Sequence, residues 1–145
     1  MIRNLELKDF ENWSKLYKSY ADFYKVPMNK VILDTLWNWI HDVNHIVNGF
    51  CYELDSNIVG IAHYRTMPRP IKGQYIGFLD DLFVDPEFRS KKIAQKLINH
   101  LKSLSKANNW NTGEYEYHDI DSNNGDGSFE TYNWQTGENS TIELD

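Results

Sequence analysis

The sequence has a single cysteine, Cys51, and no lysine or arginine after Lys106. One cysteine excludes an internal disulfide and a zinc site built from several cysteines. No apolar run approaches the roughly 18 residues needed to cross a membrane, and the charged start MIRNLELKDFENW lacks the apolar core of a secretory signal. The net charge of −6 argues against a general nucleic-acid binder, which needs a basic face. We therefore expect a cytoplasmic protein with no nucleic-acid and no membrane partner.

The residues that are present favour one globular domain. Of the 145 residues, 41% are hydrophobic and 25% are charged, which is enough apolar surface for a folded core. We expect residues 1–145 to form a single domain. The charges are unevenly distributed, because the part up to Lys106 carries a net +3 whereas the last 39 residues carry nine acidic residues and no lysine or arginine. An asymmetry of this size calls for a functional explanation.

The spacing of apolar residues predicts both helices and strands. Helices are predicted over 10–24, 30–40 and 93–107. Strands are predicted within 1–8 and over 50–54, 58–64, 75–84, 110–118 and 141–144. Asp9 and Asn29 are candidate N-caps, and loops are predicted around Pro68 and Pro70 and over 119–128. The expected fold class is α/β, a mixed sheet flanked by helices.

A strand, a turn and a helix follow one another directly in the segment FLDDLFVDPEFRSKKIAQKLINHL. The first turn of a helix has free backbone N–H groups and the positive end of the helix dipole, which suit a phosphate or pyrophosphate. Arg89, Lys91 and Lys92 add three cations within four residues. The segment therefore suits an anionic ligand. The alternative is an ordinary strand-to-helix connection with a basic surface turn.

This segment resembles the acetyl-CoA signature of the GNAT (Gcn5-related) N-acetyltransferases, Arg/Gln-x-x-Gly-x-Gly/Ala after a strand. The matching stretch is Arg89-Ser90-Lys91-Lys92-Ile93-Ala94, with Lys92 at the first glycine position. The resemblance covers about residues 1–110. The segments LYKSYADFY and FLDDLFV are similar to the branch that acetylates small amines, such as polyamines and amino-acid-like amines.

The resemblance implies a mostly antiparallel GNAT sheet and an N-acetyltransferase that uses acetyl-CoA as co-substrate. A homodimer is common in the family and is carried over as an expectation. The resemblance also assigns the backbone of Leu82, Phe83 and Val84 to the pantetheine arm. The residues that would bind the pyrophosphate are Arg89, Ser90, Lys91, Lys92, Ile93, Ala94 and Gln95.

Two adjacent carboxylates, Asp80 and Asp81, interrupt the apolar strand predicted over 75–84. Successive strand residues face opposite sides, so the pattern predicts that only one of them points to a given face. In the small-amine branch the equivalent pair lines the acceptor site, which assigns Asp80 to amine binding or general base and Asp81 to support. The alternative is a structural Asp81 bonded to backbone or to Arg65. For the neighbouring His63 a structural role is favoured.

Aromatic residues exceed one face of the first predicted helix, and core packing accounts for most of them. Tyr20 and Tyr24 are the candidates to line a pocket for a cationic amine through cation–π contact.

The acidic tail fits the resemblance less well. The family places a tyrosine after a Phe or Leu to protonate the departing CoA thiolate, but Glu130 follows Phe129 here. Tyr132 is therefore the candidate general acid. Residues 119–130 also place oxygen ligands at positions 1, 3, 5 and 12 of a calcium-loop pattern, without its glycine and without a preceding helix pattern. A solvated acidic loop is favoured, and no metal is expected.

Three functional hypotheses follow. The first is an acetyl-CoA-dependent N-acetyltransferase for a small primary amine. The second is a catalytically impaired GNAT-like domain that binds CoA or a partner without turnover. The third is a calcium-binding module that uses residues 119–130.

Overall fold

A four-stranded antiparallel sheet organises the chain. The computed structural model describes residues 1–89, 91–108, 110, 128–133 and 138–143. The helices are α1 (Phe10–Phe23), α2 (Lys30–His41) and α3 (Ile93–Ala107). The sheet has the order β1 (Ile2–Asn4), β2 (Val47–Leu54), β3 (Asn57–Arg69) and β4 (Gln74–Val84), and β5 (Ser128–Asn133) pairs with β6 (Glu138–Glu143) in a separate two-stranded sheet. The predicted mixed α/β fold with helices around an antiparallel sheet is confirmed. No helix in the described ranges is long and apolar enough to cross a membrane.

The two faces of the sheet carry separate apolar cores. On one face, Leu97 and Leu101 of α3 pack with Ala62, Leu82 and Val84. On the other face, aromatic residues of α1 and α2 pack with the intervening strand residues, among them Trp13, Trp37, Cys51, Ile61 and Phe83. The change of face from Leu82 to Phe83 to Val84 is the alternation that a strand imposes. The face toward α1 and α2 is the one that carries polar side chains of interest.

The two proposed N-caps behave differently. Asn29 Oδ1 accepts a hydrogen bond from the backbone N–H of Ile32 at 2.9 Å, which confirms it as the cap of α2. Asp9 precedes α1, but its carboxylate accepts from the Glu6 backbone N–H at 2.8 Å and pairs with Arg3 at 2.7 Å. Asp9 therefore ties the start of α1 to β1 and does not cap the helix through its side chain.

The strands differ in length from the prediction. β3 runs to Arg69 through the predicted Pro68 loop, because β4 continues the ladder as far as the Arg69–Gln74 pair. Pro68 is tolerated because β2 ends its pairing with β3 at Arg65, which leaves one side of β3 unpaired there. β5 was not predicted, and β6 begins earlier than the predicted strand 141–144. The predicted strand 110–118 and most of the predicted loop 119–128 lie outside the described residues.

Candidate active site

A cavity of about 590 Å³ lies between α2 and the sheet. Its wall on the α2 side is largely apolar and is formed by Val31, Ile32, Thr35, Leu36, Trp39, His45, Ile46 and Val47. Its polar side is formed by Tyr17, His63, Arg65, Asp80 and Asp81. A concave site with an apolar wall and a few convergent polar groups is typical of a small-molecule site.

A β-bulge at Asp80 brings both carboxylates to this cavity. His63 pairs with Asp81 and the next residue, Tyr64, pairs with Leu79, so Asp80 has no partner on β3. Leu79 and Leu82 consequently contribute to the same core on the α3 side although they are three residues apart. The strand alternation that predicted one carboxylate per face was therefore wrong at this point, since Asp80 and Asp81 both line the cavity.

Asp81 is held by a buried hydrogen-bond network. Its Oδ2 lies 2.8 Å from His63 Nδ1 and 3.0 Å from the hydroxyl of Tyr17, which donates to it. Burial by itself would raise the pKa of Asp81, but hydrogen bonds from His63, Tyr20 and Tyr17 outweigh burial and hold that pKa below its usual value. Asp81 is therefore an anion at neutral pH.

Trp13 determines how His63 contributes to this network. The indole Nε1 donates to His63 Nε2 at 2.9 Å, and an indole N–H can only donate. The His63 Nε2 atom must therefore accept, which leaves the proton on Nδ1, where it is donated to Asp81. His63 is fully buried and satisfied at both nitrogens, as the favoured structural interpretation requires, while it also lines the cavity.

Asp80 lies in a different environment. Its Oδ1 accepts from Arg65 Nε at 3.1 Å, and both side chains remain partly exposed. Burial raises the pKa of Asp80 above its usual value, the positive charge of Arg65 opposes this shift, and the charge of Asp81 adds to it. Arg65 thus bonds Asp80, whereas the structural alternative assigned it to Asp81. A carboxylate with a raised pKa beside a cavity is suited to accept a proton.

The two tyrosines proposed for the amine pocket do not line the cavity. Tyr20 is buried and its hydroxyl hydrogen-bonds Asp81, and Tyr24 packs on Tyr20 with ring centroids 5.0 Å apart. Tyr17 lines the cavity in their place. Tyr17 stacks on Tyr20 with ring centroids 5.5 Å apart, whereas the ring of Tyr24 is tilted against that of Tyr20. The cation–π contact with an amine stays a prediction, and among the tyrosines of this helix face Tyr17 is the one that lines the cavity.

The turn between β4 and α3 has the geometry of an anion site. Lys92 takes a left-handed conformation, with φ 58° and ψ 27°, and its side chain is exposed. This conformation is the one that glycine adopts readily, so the backbone at Lys92 is compatible with the glycine that the signature has at this position. Lys92 precedes α3 without forming a side-chain cap, which leaves the first-turn N–H groups to an external acceptor.

The other predicted cofactor residues lie around this turn. Arg89 Nε donates to the Val84 carbonyl at 3.2 Å and its guanidinium lies 5.4 Å from the Phe83 ring centroid. Lys91 lies over the ring of Phe88 at 5.8 Å, and Ile93 and Ala94 are buried in the α3 core. Gln95 bonds Asn99 along the exposed side of the helix.

The end of β4 holds the residues assigned to the pantetheine arm, which are Leu82, Phe83 and Val84. Among the described strands, β4 pairs only with β3. Ser90 lies outside the described residues.

Comparison with known proteins agrees with this arrangement. The sequence profile of the acetyltransferase (GNAT) family matches residues 13–125. The chain belongs to the GNAT acetyltransferase family. The matched range includes β4, the turn that follows it and α3.

Individual GNAT relatives are distant in sequence. A D-amino-acid N-acetyltransferase from Saccharomyces cerevisiae (strain ATCC 204508 / S288c) is 27% identical over 105 residues, which are 71% of this chain and 65% of that relative. The chain therefore spans somewhat less than two thirds of the length of that curated relative. The activity of the whole relative is therefore not assigned to this chain on the basis of the match.

Solved structures show the same fold. A ribosomal-protein-alanine N-acetyltransferase from Brucella melitensis biovar Abortus 2308 has a TM-score of 0.64 at 24% identity, covering 79% of this chain and 76% of that chain. A possible acetyltransferase from Clostridium difficile 630 has a TM-score of 0.71 at 17% identity, covering 82% and 79%. At these identities the likeness concerns the fold.

Two GNAT-derived expectations concern the acidic tail. The backbone of Tyr132 lies in β5 opposite Asn139, and its role as general acid stays a prediction. The calcium-loop pattern at 119–130 lies outside the described residues except for the strand start at 128–130.

Sequence reasoning missed Arg65 as a bonding partner of Asp80 and the wall that α2 contributes. The sequence carried a signal for the wall: the predicted helix has Val31, Ile32 and Trp39 in addition to Leu33 and Trp37, which form its buried face, so its large apolar residues exceed one face. No signal in the sequence marked the pairing of Arg65 with Asp80, because it depends on the register of β3 against β4.

Proposed function

We propose that the protein is an N-acetyltransferase that transfers the acetyl group of acetyl-CoA to a small primary amine, either a polyamine or an amino-acid-like amine, bound in the cavity beneath α2. The observation that carries the proposal is the β-bulge that places Asp80 and Asp81 together on this cavity. Two carboxylates beside an otherwise apolar wall attract a small ammonium group. The yeast relative is a D-amino-acid N-acetyltransferase, and D-amino acids fall within the same substrate class.

The two carboxylates have separate tasks in this proposal. Only a neutral amine can attack a thioester, so the bound ammonium must first lose a proton. Asp81, kept ionised by His63 and Tyr17, attracts and orients the ammonium. Asp80, with its raised pKa, takes the proton directly or through a water molecule. The amine nitrogen then forms the new bond to the acetyl carbon as the bond to sulfur breaks, and the nitrogen gives up its second proton, which balances the proton taken up by the CoA thiolate.

Acetyl-CoA supplies the activated acetyl group, and residues of this chain are suited to hold it. The backbone of Leu82, Phe83 and Val84 would bind the pantetheine arm. The uncapped start of α3, with Arg89, Ser90, Lys91 and Lys92, would bind the pyrophosphate, and Ile93, Ala94 and Gln95 would supply the first-turn N–H groups. Tyr132 or water would return a proton to the CoA thiolate. The exposed Lys92 side chain leaves the turn open, which supports binding of the cofactor there.

Acetyl-CoA turnover by the full chain tests the proposal, measured as free thiol released with a panel of polyamines, amino acids and simple alkylamines. We expect thiol release with at least one amine, and a fall in kcat of at least about a hundredfold for Asp80→Asn, the usual effect of removing a general base. Asp22→Asn, on the exposed part of α1, is the matched control and should retain activity.

Thermal shift with CoA separates the alternatives. Stabilisation by CoA without thiol release from any amine would overturn the proposal in favour of a CoA-binding domain without turnover. No shift with CoA together with a shift in calcium would favour a calcium-binding module.

A further inference from the structure

Arg65 presents unused hydrogen-bond donors to the cavity. Of its guanidinium N–H groups, the one on Nε donates to Asp80 at 3.1 Å, and the Nη atoms have no hydrogen-bond partner among the described residues. The group is also held in place, because it lies 4.9 Å from the centroid of the Phe78 ring, directly across the ladder on β4. On the other side of β3, Arg65 pairs with Val47 of β2. A fixed, partly exposed guanidinium fork is the side chain best suited to bind a carboxylate through two hydrogen bonds.

The ion pair between Arg65 and Asp80 matches the charges of an α-amino acid. In such a molecule the ammonium and the carboxylate are attached to the same carbon atom, so the two charges lie next to each other. In the cavity the Arg65 fork and the Asp80 and Asp81 carboxylates also lie next to each other. An ammonium placed at the carboxylates would therefore bring its own carboxylate toward the free Nη atoms of Arg65.

The remainder of the cavity suits an apolar side chain better than a second ammonium. The described lining residues include no carboxylate besides Asp80 and Asp81, and the facing wall is formed by Val31, Ile32, Leu36 and Trp39 with their neighbours. A second ammonium of a polyamine would face this wall or the positive charge of Arg65, and an unpaired charge against apolar surface is costly. An aliphatic side chain would instead bury its surface there.

We propose that the cavity selects α-amino acids with an apolar side chain as acetyl acceptors, and that Arg65 is the specificity-determining residue that binds their carboxylate. This inference rests on the proposed function and narrows its substrate class, because it places polyamines and simple alkylamines second.

The test compares leucine, isopentylamine and spermidine as acceptors. Isopentylamine is leucine without its carboxylate, so it keeps the apolar body and loses only the group assigned to Arg65. We expect kcat/KM for leucine, in one of its two enantiomers, to exceed that for isopentylamine and for spermidine by at least about tenfold, the usual effect of a charge-assisted hydrogen bond.

Arg65→Gln should reduce the leucine-to-isopentylamine ratio by at least about tenfold, mainly through a higher KM for leucine. The ratio is informative because any effect of the variant on Asp80 acts on both substrates and cancels. Arg65→Lys keeps the positive charge without the guanidinium fork, so its leucine-to-isopentylamine ratio should lie between those of the wild type and Arg65→Gln. Lys106→Gln, at the exposed end of α3, is the control for loss of one positive charge and should keep the wild-type ratio.

The failure of this inference can be told apart from that of the proposed function. Acetyl transfer to spermidine or isopentylamine as efficient as to leucine, or a ratio unmoved by Arg65→Gln, would overturn the role of Arg65 and leave the acetyltransferase intact. If no amine accepts an acetyl group, both are overturned. If Arg65→Gln does not fold, the role of Arg65 is decided by the kcat/KM ratios among leucine, isopentylamine and spermidine in the wild type and by the leucine-to-isopentylamine ratio of Arg65→Lys.

Discussion

Asp80 and Asp81 are adjacent in the sequence, yet their surroundings move their pKa values in opposite directions. Asp81 is more deeply enclosed but receives hydrogen bonds from His63 and Tyr17, which keep it ionised. Asp80 has one hydrogen bond from Arg65, and burial raises its pKa. Because a residue that must take a proton works best with a pKa nearer to neutral pH, this difference assigns the two roles.

The pH dependence of kcat at saturating amine tests these roles. We expect kcat to fall as the pH falls through the raised pKa of Asp80, because only the ionised carboxylate can accept a proton. Asp81→Asn removes a like charge and should move this acidic limb to lower pH, whereas Arg65→Gln removes an opposite charge and should move it to higher pH. The asparagine amide oxygen can still accept from His63 and Tyr17. A limb that stays in place in both variants would exclude Asp80 as the titrating base.

The backbone of Lys92 has a left-handed conformation. A non-glycine residue in the left-handed region costs about 1–2 kcal/mol, and glycine loses about 0.5–1 kcal/mol of chain entropy on folding. We therefore expect Lys92→Gly to raise the free energy of unfolding by up to about 1 kcal/mol in urea titrations. Lys91→Gly, whose position lacks a positive φ, should lower that free energy instead. Equal destabilisation by both substitutions would contradict the strain assigned to Lys92.

At the scale of elements, α2 gives the cavity its apolar wall, and Asn29 fixes where that helix begins. Asn29→Ala removes the side-chain acceptor for the Ile32 N–H and should lower the free energy of unfolding by about 1 kcal/mol. Asn29→Asp keeps an acceptor and should remain close to wild type. Urea unfolding measures both, and an equal loss in the two variants would show that the cap does not stabilise α2. The alanine variant should also raise the KM for the amine, since the wall loosens.

The elements that follow a single period could be predicted from the sequence. The apolar spacing predicts α3 over 93–107 and the structure has Ile93–Ala107, because one uninterrupted face determines this helix. The cap at Asn29 was also predicted, because an asparagine just before the apolar residues of a helix is a preferred N-cap. The bulge at Asp80 could not be predicted, because two adjacent carboxylates in an apolar strand give the same sequence pattern whether the strand is regular or carries a bulge. The proposed acceptor site depends on that bulge, so the sequence could indicate the two carboxylates but not that they share one face.

At the scale of the whole molecule, the charge is divided along the chain. The part up to Lys106 has a net charge of +3 and contains the cationic turn assigned to the pyrophosphate, whereas the last 39 residues carry nine acidic groups and no lysine or arginine. An excess of negative charge raises the local concentration of cations and their rate of association. The tail would then favour substrates with a net positive charge, whereas the cavity, as inferred from Arg65, favours zwitterions.

Ionic strength separates the contributions of tail and cavity, because screening at about 0.15 M salt acts over roughly 8 Å and weakens long-range attraction first. We expect kcat/KM for isopentylamine, a cation, to fall by about two- to tenfold between low and high salt, and kcat/KM for zwitterionic leucine to change little. The triple variant Asp119→Asn, Asp121→Asn and Asp126→Asn removes three tail charges and should flatten the isopentylamine dependence while kcat stays the same. A salt dependence equal for both amines, or unaffected by the triple variant, would show that the tail charge does not guide the substrate and that selection occurs within the cavity alone.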